Sequence, residues 1–154
     1  MTVRTMLATG ADVPRLLEIR YAAFAAQAPA AYSPREVETL LADVDPEELR
    51  AMAADARLFT AVAGDGAIVG VAGWQGDRLR HVYVDPAYTR RGIATALLAR
   101  VEADLRARTG RDRIRAGVAL HALPFYRSAG YELERLATAW DGSAYAEMVK
   151  PLAR

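Results

Sequence analysis

The chain contains no cysteine. That absence excludes a disulfide framework, a thiolate metal site and a cysteine nucleophile together. Histidine is nearly as scarce, with only His81 and His121. A zinc site would therefore need carboxylates at matching spacing, and none stands out, so no metal is expected. Lysine occurs once, as Lys150, among 20 Lys and Arg residues. The arginine bias and the abundant alanine read as the codon usage of a GC-rich genome, so each arginine is judged by position. Charge of either sign is nearly cancelled: 20 basic against 19 acidic residues leave a net +1. No global field draws in nucleic acid, and no nucleic-acid partner is expected. No apolar run approaches the ~20 residues of a membrane-spanning helix. The opening "MTVRTMLATGADVP" lacks a charged-then-apolar signal pattern. The expectation is a cytoplasmic chain with no membrane partner.

What is present is ordinary for a globular fold: 154 residues, 53% hydrophobic and 25% charged. That suits one domain, 1–154, around one sizeable core. "TVRTML" predicts a first strand over 2–7. Asp12 suits an N-cap, and Val13, Leu16, Leu17 and Tyr21 follow at helical spacing to about Phe24. "QAPAAYSP" reads as a loop. Ser33 caps a second helix carrying Val37, Leu40 and Leu41, with Glu36 at capping-box spacing. Asp45 caps a third helix, "PEELRAMAA".

From Arg57 the period changes. "RLFTAVA", "AIVGVAGW" and "RLRHVYV" are β-rich runs separated by "GDG" and "QGD", so three antiparallel strands cover 57–84. A helix then starts at Gly92, with Ile93, Leu97, Leu98, Val101 and Leu105 on one stripe, and stops at Gly110. "RIRAGVAL" is a strand, "PFYRSAG" a short helix, and two closing strands join through "DGS". The order β-α-α-α-β-β-β-α-β-α-β-β implies a mixed α/β sheet with helices on its faces. The strand-helix-strand unit over 78–120 should be a right-handed crossover, which makes its two strands parallel.

The start of the long helix carries the chemistry. In "YTRRGIATALL" the helix opens without a strong capping side chain. Its first N–H groups lack intrahelical partners and bear partial positive charge. Gly92 and Ala94 are small enough for a ligand to approach the main chain, and Arg90 and Arg91 add fixed charge. This suits a phosphate or pyrophosphate cradle. The alternative has Thr89 as cap with the arginines in solvent, and local spacing does not separate the two. A Walker loop is excluded by the missing Lys-Ser/Thr pair, and a dinucleotide fingerprint by the single glycine.

"HVYVDPAYTRRGIATALLARVE" resembles the cofactor-binding segment of the GNAT N-acetyltransferases, whose pattern is Gln/Arg-x-x-Gly-x-Gly/Ala between a strand and a long helix. Gly92 and Ala94 match, and Thr89 departs from the usual Gln or Arg. "HALPFYRSAGYE" resembles a second segment of that family. Ala122, Phe125, Tyr126 and Gly130 match, Tyr131 replaces Phe, and His121 stands where Asn is common. "GSAYAEMVKPL" is similar to the last strand of many members. The resemblance implies a GNAT-like, mostly antiparallel sheet with a central parallel pair and helices on both faces.

It further implies acetyl-CoA as cosubstrate and an amine as acceptor. The pyrophosphate would be held by main-chain N–H groups of Arg91, Gly92, Ile93, Ala94 and Thr95, with Arg90 and Arg91 as charge partners. The pantetheine arm would pair with Val82, Tyr83 and Val84, and the Val84 N–H would polarise the thioester carbonyl. Tyr126 is placed where the family's proton donor to the departing thiolate stands. No Glu occurs in "RLRHVYV", so the base is His81 or a water chain. His81 alternates with Tyr83, which puts both on one strand face. His121 is a further candidate to orient water or the cofactor arm. Acceptor specificity is expected in the N-terminal half and the "ATAWDGSA" hairpin, with Tyr21, Phe24, Tyr32, Trp74 and Trp140 as candidate aromatic surfaces. A non-catalytic acyl-CoA-binding domain is the rival reading, and exposed strand edges make a homodimer a further expectation.

Overall fold

The computed structural model of the chain describes residues 3–31, 33–35, 44–89, 92–140 and 142–152. Strand β1 spans Val3–Leu7, and helix α1 spans Val13–Ala31. Helix α2, Pro46–Ala54, precedes strands β2 (Leu58–Ala63), β3 (Ile68–Gln75) and β4 (Arg78–Val84). Helix α3, Ile93–Thr109, leads to β5, Arg113–Val118. The short helix α4, Leu123–Ser128, is followed by β6 (Glu132–Thr138) and β7 (Ala144–Pro151).

The seven strands form one sheet in the order β1-β2-β3-β4-β5-β7-β6. Every neighbouring pair is antiparallel except β4 and β5, which run parallel. The architecture is therefore mixed α/β with one parallel pair inside a mostly antiparallel sheet. β2 is buried along its whole length, which is why "LFTAVA" does not alternate and is apolar at every position but Thr60. One face of the sheet packs on the α3 stripe of Ile93, Leu97, Leu98, Val101 and Leu105, together with Phe59, Ala61 and Trp74. The other packs Val71 and Leu58 against Val13 and Leu16 of α1 and Leu49 and Met52 of α2. β6 lies at the sheet margin and is almost wholly exposed.

Local signals shape the ends of these elements. Asp45 caps α2 by accepting from the Glu47 N–H at 2.9 Å. Asp12 is not the N-cap of α1. It closes a short 3₁₀ turn over Gly10–Asp12, where its carboxylate accepts from the Thr9 N–H at 2.8 Å. α1 also continues past Phe24 through residues expected to form a loop. The Ala-rich run keeps helical propensity there. Pro29 falls in the last turn, where the lost N–H removes only one bond near the end. The second expected helix, beyond residue 35, and Tyr32 lie outside the described residues.

Candidate active site

β4 and β5 pair at one position only, Arg78 opposite Arg115, where the Arg115 N–H donates to the Asp77 carbonyl at 2.8 Å. After that the strands diverge. The cause lies on the other edge of β4. Val71 pairs with Tyr83 and Gly73 with Arg80, so Ala72 opposes both His81 and Val82. This is a β-bulge, and His81 sits in it with a left-handed φ of 58°. A bulge bends its strand, and the bend carries the second half of β4 away from β5. A cleft of about 1290 Å³ opens between Val82 and Val84 on one bank and Gly117, Val118 and Ala119 on the other.

The pairing also decides which main-chain groups face that cleft. The Asp85 N–H donates to the Val69 carbonyl at 2.9 Å. Gly70 and Val84 are therefore a non-hydrogen-bonded pair. The N–H and C=O of Val84 point away from β3, toward the cleft. By the same alternation Tyr83 turns its main chain to β3, and what it offers the site is its ring.

At one end of the cleft α3 begins. Gly92 is its N-cap residue, left-handed at φ 73°, and among the described residues no side chain caps the helix. Thr89 is not the cap: its hydroxyl donates to the Pro86 carbonyl at 3.3 Å. The reading with Thr89 sealing the helix start therefore falls. A Cβ on Gly92 would meet nothing within 4 Å, so the backbone angle, not crowding, requires glycine there. Ala94 lines the cleft, Thr95 is exposed, and the Ile93 side chain is in the core. Arg90 and Arg91 lie outside the described residues. The preceding turn is anchored by Arg15 of α1, which donates to Asp85 at 2.9 Å and to the Ile68 carbonyl at 3.0 Å. No sequence motif announces that tie.

Tyr126 of α4 reaches the cleft from the other side. Its ring is half-buried between Phe125 and Tyr131, edge-on to each, at 5.2 and 5.4 Å. Its hydroxyl makes no hydrogen bond to a described residue. Burial, and then nearby Tyr83, push its phenol well above the usual range, so it is protonated at neutral pH. Tyr131 is the pillar beneath it. Its buried ring donates its hydroxyl to Glu102 of α3 at 2.8 Å, and Lys150 donates to the same carboxylate at 2.9 Å.

His81 and Tyr83 both face α1 and α2. The Tyr83 ring packs on Phe24 at 5.5 Å. The His81 side chain is 8% exposed and has its Nε2 3.5 Å from Glu48 of α2. Burial lowers the His81 pKa below 6.5, Arg80 lowers it further, and Glu48 opposes both. The imidazole is neutral at pH 7. His121, on the 3₁₀ turn Leu120–Ala122, also lines the cleft, and partial burial pulls its pKa down. Arg78 closes the floor with a salt bridge to buried Glu147 at 2.8 Å.

The aromatic candidates separate. Phe24 lines the cleft. Trp74 does not: it is buried in the core and donates to Asp104 at 2.8 Å. Tyr21 and Trp140 are exposed to solvent. Among the described residues no cluster of three His, Cys, Asp or Glu could hold a metal, and no helix is long and apolar enough to cross a membrane.

A family model described as an acetyltransferase (GNAT) domain matches residues 28–152. No curated protein matches the chain. Solved structures do. A GCN5-related N-acetyltransferase (aminotransferase, class II) from Rhodopseudomonas palustris is 25% identical with a TM-score of 0.83, over 98% of this chain and 95% of that one. PaiA N-acetyltransferase from Thermoplasma acidophilum, in complex with coenzyme A, is 19% identical with a TM-score of 0.77, over 98% and 99%. A phosphinothricin acetyltransferase from Sinorhizobium meliloti, in complex with AcCoA, is 22% identical with a TM-score of 0.69, over 99% and 90%.

Proposed function

The chain belongs to the GNAT acetyltransferase family, and from that premise we propose that it transfers the acetyl group of acetyl-CoA to a primary amine of a small molecule or a protein. One observation carries the reading. β4 leaves β5 after a single paired position, which opens a cleft from the uncapped start of α3 past the Val84 main chain to Tyr126.

Each wall has a role. The N–H groups from Arg91 to Thr95 hold the diphosphate, with Arg90 and Arg91 beside it. Val82 and Val84 pair with the pantetheine arm. The Val84 N–H donates to the thioester carbonyl oxygen as negative charge builds on it. His81, neutral at pH 7, takes a proton from the acceptor ammonium, and the freed nitrogen bonds to the carbonyl carbon. The C–S bond breaks with its electron pair on sulfur. Tyr126 donates to that sulfur and regains its proton from solvent. The amide nitrogen sheds its second proton to water and His81 gives up the proton it took, so, with one proton drawn by Tyr126, one proton is released per turnover. The Phe24 and Tyr83 rings form the apolar wall against which the acceptor lies.

Calorimetry with CoA and a thiol-release assay test this with acetyl-CoA and a panel of benzylamine, spermidine, free amino acids and a lysine peptide. Binding with release on at least one amine is expected. No heat with CoA overturns the reading. Heat without release on any amine supports a non-catalytic acyl-CoA-binding domain instead.

A further inference from the structure

We propose that Glu48 of α2 is a positioning residue for His81, holding Nε2–H so that Nδ1 is the nitrogen that takes the amine's proton. The inference rests on the reading of His81 as base.

The geometry begins with the bulge. In a regular strand, neighbouring residues point to opposite faces. Here the left-handed φ of His81 breaks the alternation, and consecutive residues meet the same carboxylate. Arg80 Nη2 lies 2.9 Å from Glu48 Oε1, and His81 Nε2 lies 3.5 Å from that same oxygen. Glu48 is itself fixed, because its partner Arg80 also donates to Gln75 at 3.0 Å. His81 Nε2 is sealed from solvent and, among the described residues, makes no formed hydrogen bond, only the 3.5 Å approach to Glu48. His81 nevertheless lines the cleft. The nitrogen able to exchange a proton with a bound amine is then Nδ1.

The chemistry explains why a carboxylate belongs there. A buried imidazole is neutral and ready to accept a proton, but burial also makes it a weak base. The charged groups around it are Arg80 on its own strand, Arg20 from α1 and Glu48 from α2. The two arginines oppose an imidazolium, and Glu48 favours one. As Nδ1 takes a proton, Nε2–H becomes the cationic donor to Glu48, and the 3.5 Å contact shortens to a charge-assisted hydrogen bond. Glu48 thus supplies basicity at the moment of transfer without touching the substrate.

The test is nitrogen-15 NMR of the full chain with labelled histidine, which needs no ligand. Only His81 and His121 give signals, and a His121→Gln variant assigns them. His81 is expected as the Nε2–H tautomer. Glu48→Gln keeps the size and an oxygen for Arg80 but removes the charge. It is expected to lower the His81 titration midpoint, because the charge is gone, while the retained oxygen still favours Nε2–H. On the best amine of the panel it should cut kcat about 10- to 100-fold, shift the acid limb of the pH profile downward and leave the CoA affinity unchanged. Loss of thermal stability alone, with the titration unmoved, would overturn the proposal, as would Nδ1–H in the parent chain. His81→Asn separates this from the underlying reading, since Asn tolerates a left-handed φ. If that variant loses about 100-fold in kcat while Glu48→Gln changes nothing, only the Glu48 role falls. If His81→Asn turns over normally, the base assignment falls and takes Glu48 with it.

Discussion

The two ends of α3 form a controlled pair. Gly92 starts the helix at φ 73° and Gly110 ends it at φ 71°. A Cβ on either would meet nothing within 4 Å. Alanine at each position therefore incurs the same penalty, a left-handed angle worth about 1–2 kcal/mol. For a chain of 154 residues that lowers Tm by about 2–8 °C, and the two variants should fall by similar amounts. Their effects on ligand binding should differ. Relieving the strain at Gly92 rotates the first N–H groups away from the cleft and puts a methyl group at its mouth. One hydrogen bond to a charged phosphate is worth about 1.5–3 kcal/mol. Gly92→Ala should weaken CoA roughly 10- to 150-fold, while Gly110→Ala leaves it unchanged. Calorimetry well below Tm measures binding, and differential scanning calorimetry measures stability. Equal Kd values for both variants, or parent-like affinity in Gly92→Ala with the expected loss of Tm, would refute the placement of the diphosphate at this helix start.

Other outcomes follow from single contacts. Tyr126→Phe should reduce kcat about 10- to 100-fold, with CoA affinity by calorimetry unchanged, because only the hydroxyl proposed to donate to the leaving sulfur is lost. A Cβ on Gly73 would lie 2.7 Å from the Arg57 carbonyl oxygen and 2.8 Å from Met52 Cε. Gly73→Ala should cost about 1–3 kcal/mol by urea titration, whereas Gly64→Ala, with nothing within 4 Å, should stay within about 0.5 kcal/mol of the parent. Tyr131→Phe removes the bond to Glu102 but leaves Lys150 on that carboxylate; a loss of about 1 kcal/mol is expected. The pKa of His81 is lowered on folding, so below about 6.5 the unfolded chain binds more protons and stability falls as pH drops through that window. His81→Asn should flatten this fall in Tm between about pH 6.5 and 5 but not abolish it, because His121 shifts in the same direction.

The sequence by itself determined the elements whose signals are local. The turn glycines, the Asp45 cap and the apolar stripe of α3 each act within a few residues, and the structure carries all three. The glycine that opens the helix was legible in the same way, because its requirement is a backbone angle at one residue. Where local signals competed, they misled: a proline and a turn-like composition suggested a loop that the Ala-rich end of α1 overrides. Tertiary structure alone decided the rest. The gap between β4 and β5 beyond Arg78 and the approach of Glu48 to His81 both follow from a bulge that bends β4 and breaks its alternation. The edge-on contact of Tyr126 with Tyr131 rests on Glu102 and Lys150, which hold Tyr131 from separate elements. These contacts join residues tens of positions apart, and their register is set by the packing of the whole sheet. No periodicity within a single segment records it.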